Sequence, residues 1–183
     1  MTQRAAFIDR DGVLNEDLGY VFRAEDFHWL PGAIVALARL QRAGYALVVV
    51  TNQSGIARGF YSEADLARLN SHMQAELQAQ GVALAGIYAC PHHPQARVAA
   101  YRRDCDCRKP APGLILQAAQ ALSLDLGRSC LFGDKASDIE AGRAAGVGRC
   151  YAIGTAPAAG EDGRFPSLHG AVDALLGAAQ EPA

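Results

Sequence analysis

The sequence predicts an α/β fold: a doubly wound parallel sheet with helices on both faces, in a single domain over residues 1–183. Three observations carry that expectation. Short apolar runs alternate along the chain with segments of helical period, the pattern of successive βαβ units. The run Tyr45-Ala-Leu-Val-Val-Val50 is apolar without interruption, as a strand buried on both faces must be. The length and a composition that is half apolar suit one core of ordinary size, and no repeat or linker divides it.

The elements follow in order. Ala5-Ala6-Phe7-Ile8 reads as a strand running into Asp9. A helix is expected over 31–43, with Ile34, Leu37 and Leu40 on one face and Gly44 closing it. The second strand, 45–50, runs into Thr51. Ser62 then offers an N-cap with Asp65 reaching back in a capping box, and Leu66, Leu69, Met73 and Leu77 form the buried stripe of a helix ending at Gly81. Residues 86–90 form a third strand. Residues 91–111 have no hydrophobic period and are expected to be an irregular loop. A helix over 112–122, a strand at 130–132, a short helix over 139–145 and a strand over 149–153 complete the sheet. A last helix carries Leu168, Val172, Leu175 and Leu176, and the tail 178–183 is expected to fray. Cys130 and Cys150 fall in strands and read as core.

Composition excludes some functions. A net charge of −2 gives no basic footprint for nucleic acid. No apolar run approaches the roughly 20 residues of a membrane span. The N-terminus enters a strand directly, so no leader is expected and a cytoplasmic location is. There the five cysteines suit metal ligation or burial better than disulfides.

Three strands end in polar residues: Asp9-Arg10-Asp11-Gly12, Thr51-Asn52-Gln53-Ser54 and Gly133-Asp134-Lys135. A parallel sheet brings these carboxyl ends to one rim, where ligands bind. There Asp9 and Asp134 are expected to converge on a magnesium ion, which prefers hard oxygen ligands. Singly, each residue fits a turn, a strand end or a solvated charge.

Taken in order, D-R-D-G, T-N-Q-S, R-K-P and G-D-K-x-x-D resemble the haloacid dehalogenase superfamily of phosphatases, from Phe7 to about Ile153. The resemblance implies a Rossmann-like core with a minimal cap. It implies a nucleophile at Asp9 and a general acid–base at Asp11. Magnesium would be held by the Asp9 and Asp134 side chains and the Asp11 carbonyl. Thr51 and Lys109 would hold the phosphoryl oxygens, and Asp138 would tether Lys109 or a metal-bound water.

The irregular stretch carries Cys90, His92, Cys105 and Cys107, three thiolates and an imidazole that suit a closed zinc shell. His93 is an alternative to His92, and reduced surface cysteines or a redox pair would leave the metal out. C-x-H followed by C-x-C directly before R-K-P resembles the zinc-loop subgroup of the superfamily, which holds heptose bisphosphate and histidinol-phosphate phosphatases. The subgroup's zinc is structural, so the loop would staple Arg108 and Lys109 in place. The matching D-x-G-Y stretch implies a sugar bisphosphate substrate, with product directed to lipopolysaccharide or other glycans. Asp17, Leu18, Gly19, Tyr20, Asn52, Gln53, Ser54, Arg108 and Lys135 would line the substrate site, Arg108 gripping the retained phosphate; Arg58 is a weaker candidate. Histidinol phosphate is the alternative substrate, and a zinc-containing binding module without catalysis the remote one. A monomer is expected.

Overall fold

The computed structural model describes residues 2–177, so the tail over 178–183 lies outside the described residues. Six parallel strands form one sheet: β1 Ala5–Ile8, β2 Ala46–Asn52, β3 Gly86–Cys90, β4 Cys130–Gly133, β5 Arg149–Ile153 and β6 Gly163–Phe165, in the order β3-β2-β1-β4-β5-β6. Helices α1 Ala33–Arg42, α2 Gly55–Arg58, α3 Glu63–Ala79, α4 Gly113–Leu122, α5 Ala136–Ala145 and α6 Leu168–Gly177 connect or follow them.

The strand side chains alternate between two cores. Ala6, Ile8, Leu47, Val49 and Phe132 pack with α1, α3 and α6 on one face. Ala5, Phe7, Val48, Val50 and Leu131 pack with α4 and α5 on the other. Both faces are covered, which is why these strands are apolar throughout rather than alternating. Cys130 and Cys150 are buried, one in each core.

Helix boundaries follow local chemistry. The Ser62 hydroxyl accepts from the Asp65 N–H and the Asp65 carboxylate accepts from the Ser62 N–H at 2.7 Å, so the expected capping box forms. Helix α5 starts three residues earlier than expected, because the Asp138 carboxylate accepts from the Lys135 N–H at 3.0 Å and closes the first turn. Two elements differ from expectation by their presence. Helix α2 is a single turn, and β6 is a three-residue edge strand that exists by pairing with Tyr151–Ile153. Neither is long enough to leave a period in the sequence.

Candidate active site

The connections reverse direction between β1 and β4, which are neighbours at the centre of the sheet. A crevice opens at the carboxyl ends of strands at such a reversal. Asp9 leaves β1 there, its N–H donating to Phe132 O at 2.9 Å, and Asp134 follows the last residue of β4. Gly12 turns the chain back with φ +88°, and a Cβ on it would overlap the Asp134 carboxylate. Glycine is thus required there twice, for backbone angle and for space.

Lys109 enters from the irregular loop and is buried. Its ammonium donates to Asp9 Oδ1 at 2.7 Å, Asp138 Oδ1 at 2.5 Å and Val50 O at 2.8 Å. The Asn52 side chain fixes the Lys109 backbone from both sides, accepting from its N–H and donating to its carbonyl, each at 3.0 Å. Burial opposes the charge on Lys109, but Asp9 and Asp138 outweigh it and hold its pKa above the ordinary value. Burial raises the Asp9 pKa, against the pull of Lys109. Burial and then the nearby Asp9 charge push Asp134 up to about 7.

Ligand oxygens of Asp9, Asp134 and Asp138 lie within 4.8 Å of one another. Asp138 is engaged by Lys109 and the Lys135 N–H, whereas Asp134 Oδ1 is buried with no hydrogen-bond partner. A buried carboxylate oxygen without a donor, beside a second buried carboxylate, fits a hard divalent cation. Asp9 and Asp134 are therefore the side chains available to hold magnesium. The Asp11 carboxylate does not join this group. It is held by Arg10, Asn15 and Gln53 at 2.9–3.2 Å.

Beside these carboxylates lies a cavity of about 340 Å³, lined by Asp11, Asp17, Gly19, Tyr20, Asn52, Gln53, Ser54, Tyr61, Arg108 and Lys135. Lys135 reaches Asp17 at 3.2 Å and Asp134 at 3.9 Å, linking the mouth to the carboxylate group. Leu18 stands outside the lining and is 58 % exposed. Tyr20 holds a left-handed backbone, φ +56°, with its ring edge-on to Phe60 at 4.8 Å.

The zinc-type residues also converge. Cys90 Sγ lies 3.1 Å from Cys107 Sγ and 3.6 Å from Cys105 Sγ, and His92 Nδ1 lies 3.3 Å from Cys107 Sγ. All four ligand atoms fall within 4.8 Å. Three thiols and one imidazole so grouped fit a tetrahedral soft-ligand metal such as zinc. His93 faces elsewhere, its ring meeting Arg58 at 3.5 Å and the Gln95 N–H at 3.1 Å. Cys90 pairs in register with Asn52, so this cluster abuts the strand end that carries Thr51.

The family description for haloacid dehalogenase-like hydrolases matches residues 6–109, and a second HAD-like description matches 106–156. The chain belongs to the haloacid dehalogenase-like hydrolases. Among its relatives within these hydrolases is a D-glycero-beta-D-manno-heptose-1,7-bisphosphate 7-phosphatase of Photorhabdus laumondii, 49 % identical over 79 % of this chain and 77 % of that one. A relative of the same name from Vibrio cholerae is 47 % identical over 89 % of this chain and 88 % of that one. A relative named for the alpha anomer, again from Photorhabdus laumondii, is 43 % identical over 83 % of each chain. The D,D-heptose 1,7-bisphosphate phosphatase of B. bronchiseptica, solved with magnesium and phosphate, superposes with a TM-score of 0.83 at 29 % identity, over 96 % of this chain and 99 % of that one.

Two residues of this hydrolase's site carry no sequence signal of their own. Arg10 is wholly buried beneath Asp11, and the Tyr61 hydroxyl reaches Gln53 from the first residue before the N-cap of α3. Arginine between two acids reads as a surface charge, and a lone tyrosine has no spacing to test. Only the packed structure brings them to the rim.

Proposed function

We propose that the chain is a magnesium-dependent phosphatase that removes the 7-phosphate of D-glycero-D-manno-heptose 1,7-bisphosphate and leaves heptose 1-phosphate. The observation that carries this reading is the buried Asp9–Lys109–Asp138 chain beside the unpartnered Asp134 oxygen, at the foot of a cavity edged by Arg108 and Lys135. The identity to heptose bisphosphate phosphatases supports the substrate.

Asp9 attacks phosphorus in line, forming the P–O bond of an aspartyl phosphate as the sugar oxygen leaves with a proton from Asp11. Asp11 then takes a proton from the water that attacks phosphorus of this acyl phosphate; the Asp9 O–P bond breaks, freeing the Asp9 carboxylate and inorganic phosphate. Thr51 would donate to a phosphoryl oxygen, and Lys109 would exchange one of its present acceptors, Asp9, Asp138 or Val50 O, for another as charge shifts among them. Bound magnesium would offset the charge of the acids and of the phosphate. Arg108, donating to the His92 carbonyl at 3.4 Å and facing the cavity, would grip the retained phosphate. Asp17 would hydrogen-bond sugar hydroxyls. Zinc at Cys90, His92, Cys105 and Cys107 would be structural, and the enzyme would act as a cytoplasmic monomer supplying heptose for lipopolysaccharide or other glycans. Among the described residues no helix is long and apolar enough to cross a membrane.

The test is turnover by the purified protein with magnesium, comparing both anomers of the bisphosphate with histidinol phosphate. A preference for histidinol phosphate overturns the substrate. Asp9→Asn is expected to lower kcat by about 10³-fold or more, as removal of a nucleophile does elsewhere. Retained turnover in that variant overturns the covalent route.

A further inference from the structure

We propose that Gln53 is a positioning residue whose side-chain amide holds Asp11 and Thr51 in one frame; this rests on the roles given to those two residues above. Gln53 follows β2, is buried, and is anchored by its own N–H to Cys90 O at 2.8 Å. Its Nε2 donates to Asp11 Oδ2 at 3.0 Å and to Thr51 Oγ1 at 2.8 Å. Its Oε1 accepts from the Tyr61 hydroxyl at 2.5 Å and from Arg10 Nη2 at 3.3 Å. Two donors and two acceptor positions are thus all in use. A guanidinium can only donate, so the amide oxygen must face Arg10 and the NH₂ must face Asp11 and Thr51. The orientation follows from chemistry rather than from choice of rotamer.

Two consequences follow for the reaction. Because the Thr51 hydroxyl accepts from Gln53, its own hydrogen is free to point at a phosphoryl oxygen. The Asp11 carboxylate, also held by Arg10 and Asn15, keeps a set distance from that hydroxyl. The supports are themselves rigid. Arg10 is buried and also donates to Val21 O at 2.8 Å. Tyr61 stacks on Phe22 with centroids 5.0 Å apart, and a Cβ on Gly55 would overlap its ring. Burial pushes the Tyr61 hydroxyl up to about 12, so it stays a donor at neutral pH.

The experiment compares kcat/KM for heptose bisphosphate and for p-nitrophenyl phosphate in wild type, Gln53→Leu, Tyr61→Phe and Asp11→Asn. This constant reports steps up to the aspartyl phosphate, and p-nitrophenolate leaves without needing a proton. Loss of Thr51 orientation lowers both substrates, whereas loss of Asp11 placement lowers the sugar substrate further. Gln53→Leu is expected to fall about 10-fold further on the heptose substrate than on the aryl one, within the range general acid catalysis supplies. Tyr61→Phe should shift the same ratio by a smaller factor, and it carries the comparison if Gln53→Leu fails to fold. Equal losses on both substrates, or no loss, with discrimination retained in Asp11→Asn, overturns the role of Gln53 alone. No discrimination in Asp11→Asn overturns the acid role and the Gln53 inference together.

Discussion

A buried ammonium costs several kcal/mol of desolvation unless each of its protons finds an acceptor. Lys109 meets that condition, with Asp9, Asp138 and the Val50 carbonyl around it. Removing it would leave two buried carboxylates facing each other beside Asp134. Lys109→Met is therefore expected to lose about 3–5 kcal/mol of stability by chemical denaturation, in addition to its activity. A loss below about 1 kcal/mol would mean that the carboxylates find other partners. At this scale the sequence was informative only where motifs set the spacing. Asp9, Thr51 and Asp134 were legible as strand-end residues, and Lys109 through the R-K-P motif of the irregular loop. Arg10 and Tyr61 were not, because their importance lies in contacts with Asp11 and Gln53 that no local pattern encodes. Asn52 and Gln53 were read as lining the mouth, which they do, but their amides bond to Lys109, Asp11 and Thr51.

Two elements show how differently local chemistry bears on the site. The α3 capping box sits on the exposed surface and touches no candidate catalytic group. Ser62→Ala should cost about 1 kcal/mol and leave kcat unchanged. The loop between β3 and α4 has little regular structure; its His92, Cys105 and Cys107 gather with Cys90, the last residue of β3, and Cys107 stands immediately before Arg108 and Lys109. The Gly113 N–H donates to Asp106 O at 2.8 Å, and a Cβ there would strike that carbonyl, so α4 starts hard against the cluster. Cys105→Ser should lower zinc content, melting temperature and kcat together, because slack in the loop becomes displacement of Lys109. A variant that loses zinc and keeps both other properties would sink the staple. The loop's irregularity was legible from its missing period, but the short α2 and β6 were not. Three or four residues define no periodicity, and β6 owes its conformation to Tyr151–Ile153.

For the molecule as a whole, the reversal of connections between β1 and β4 concentrates carboxylates at the cost of stability. Asp134 is raised to about 7 by burial and by Asp9. A carboxyl group with a folded pKa above its unfolded value binds more protons folded than unfolded, so stability falls as pH rises between the two values. The metal-free protein is therefore expected to lose stability from about pH 4 to about pH 7 through this group. Asp134→Asn should flatten that loss and gain about 1 kcal/mol or more at pH 7. Magnesium should raise the wild-type melting temperature more at pH 8 than at pH 5, because ligation needs the ionised carboxylate, and should barely move the variant. Equal magnesium shifts in both proteins would remove Asp134 from the metal site.

By itself, the sequence determined the class of fold, the places where strands end, and the residue types available to hold phosphate and metal. Those follow from hydrophobic period and from motifs whose spacing is local. The tertiary structure decided which of those residues share a proton or an ion. It paired Lys109 with Asp9 across a hundred residues, turned His92 rather than His93 toward the three cysteines, and spent the Gln53 amide on Asp11 and Thr51. The reason is physical: a buried donor must find an acceptor within about 3 Å, and only packing determines which acceptor is that close.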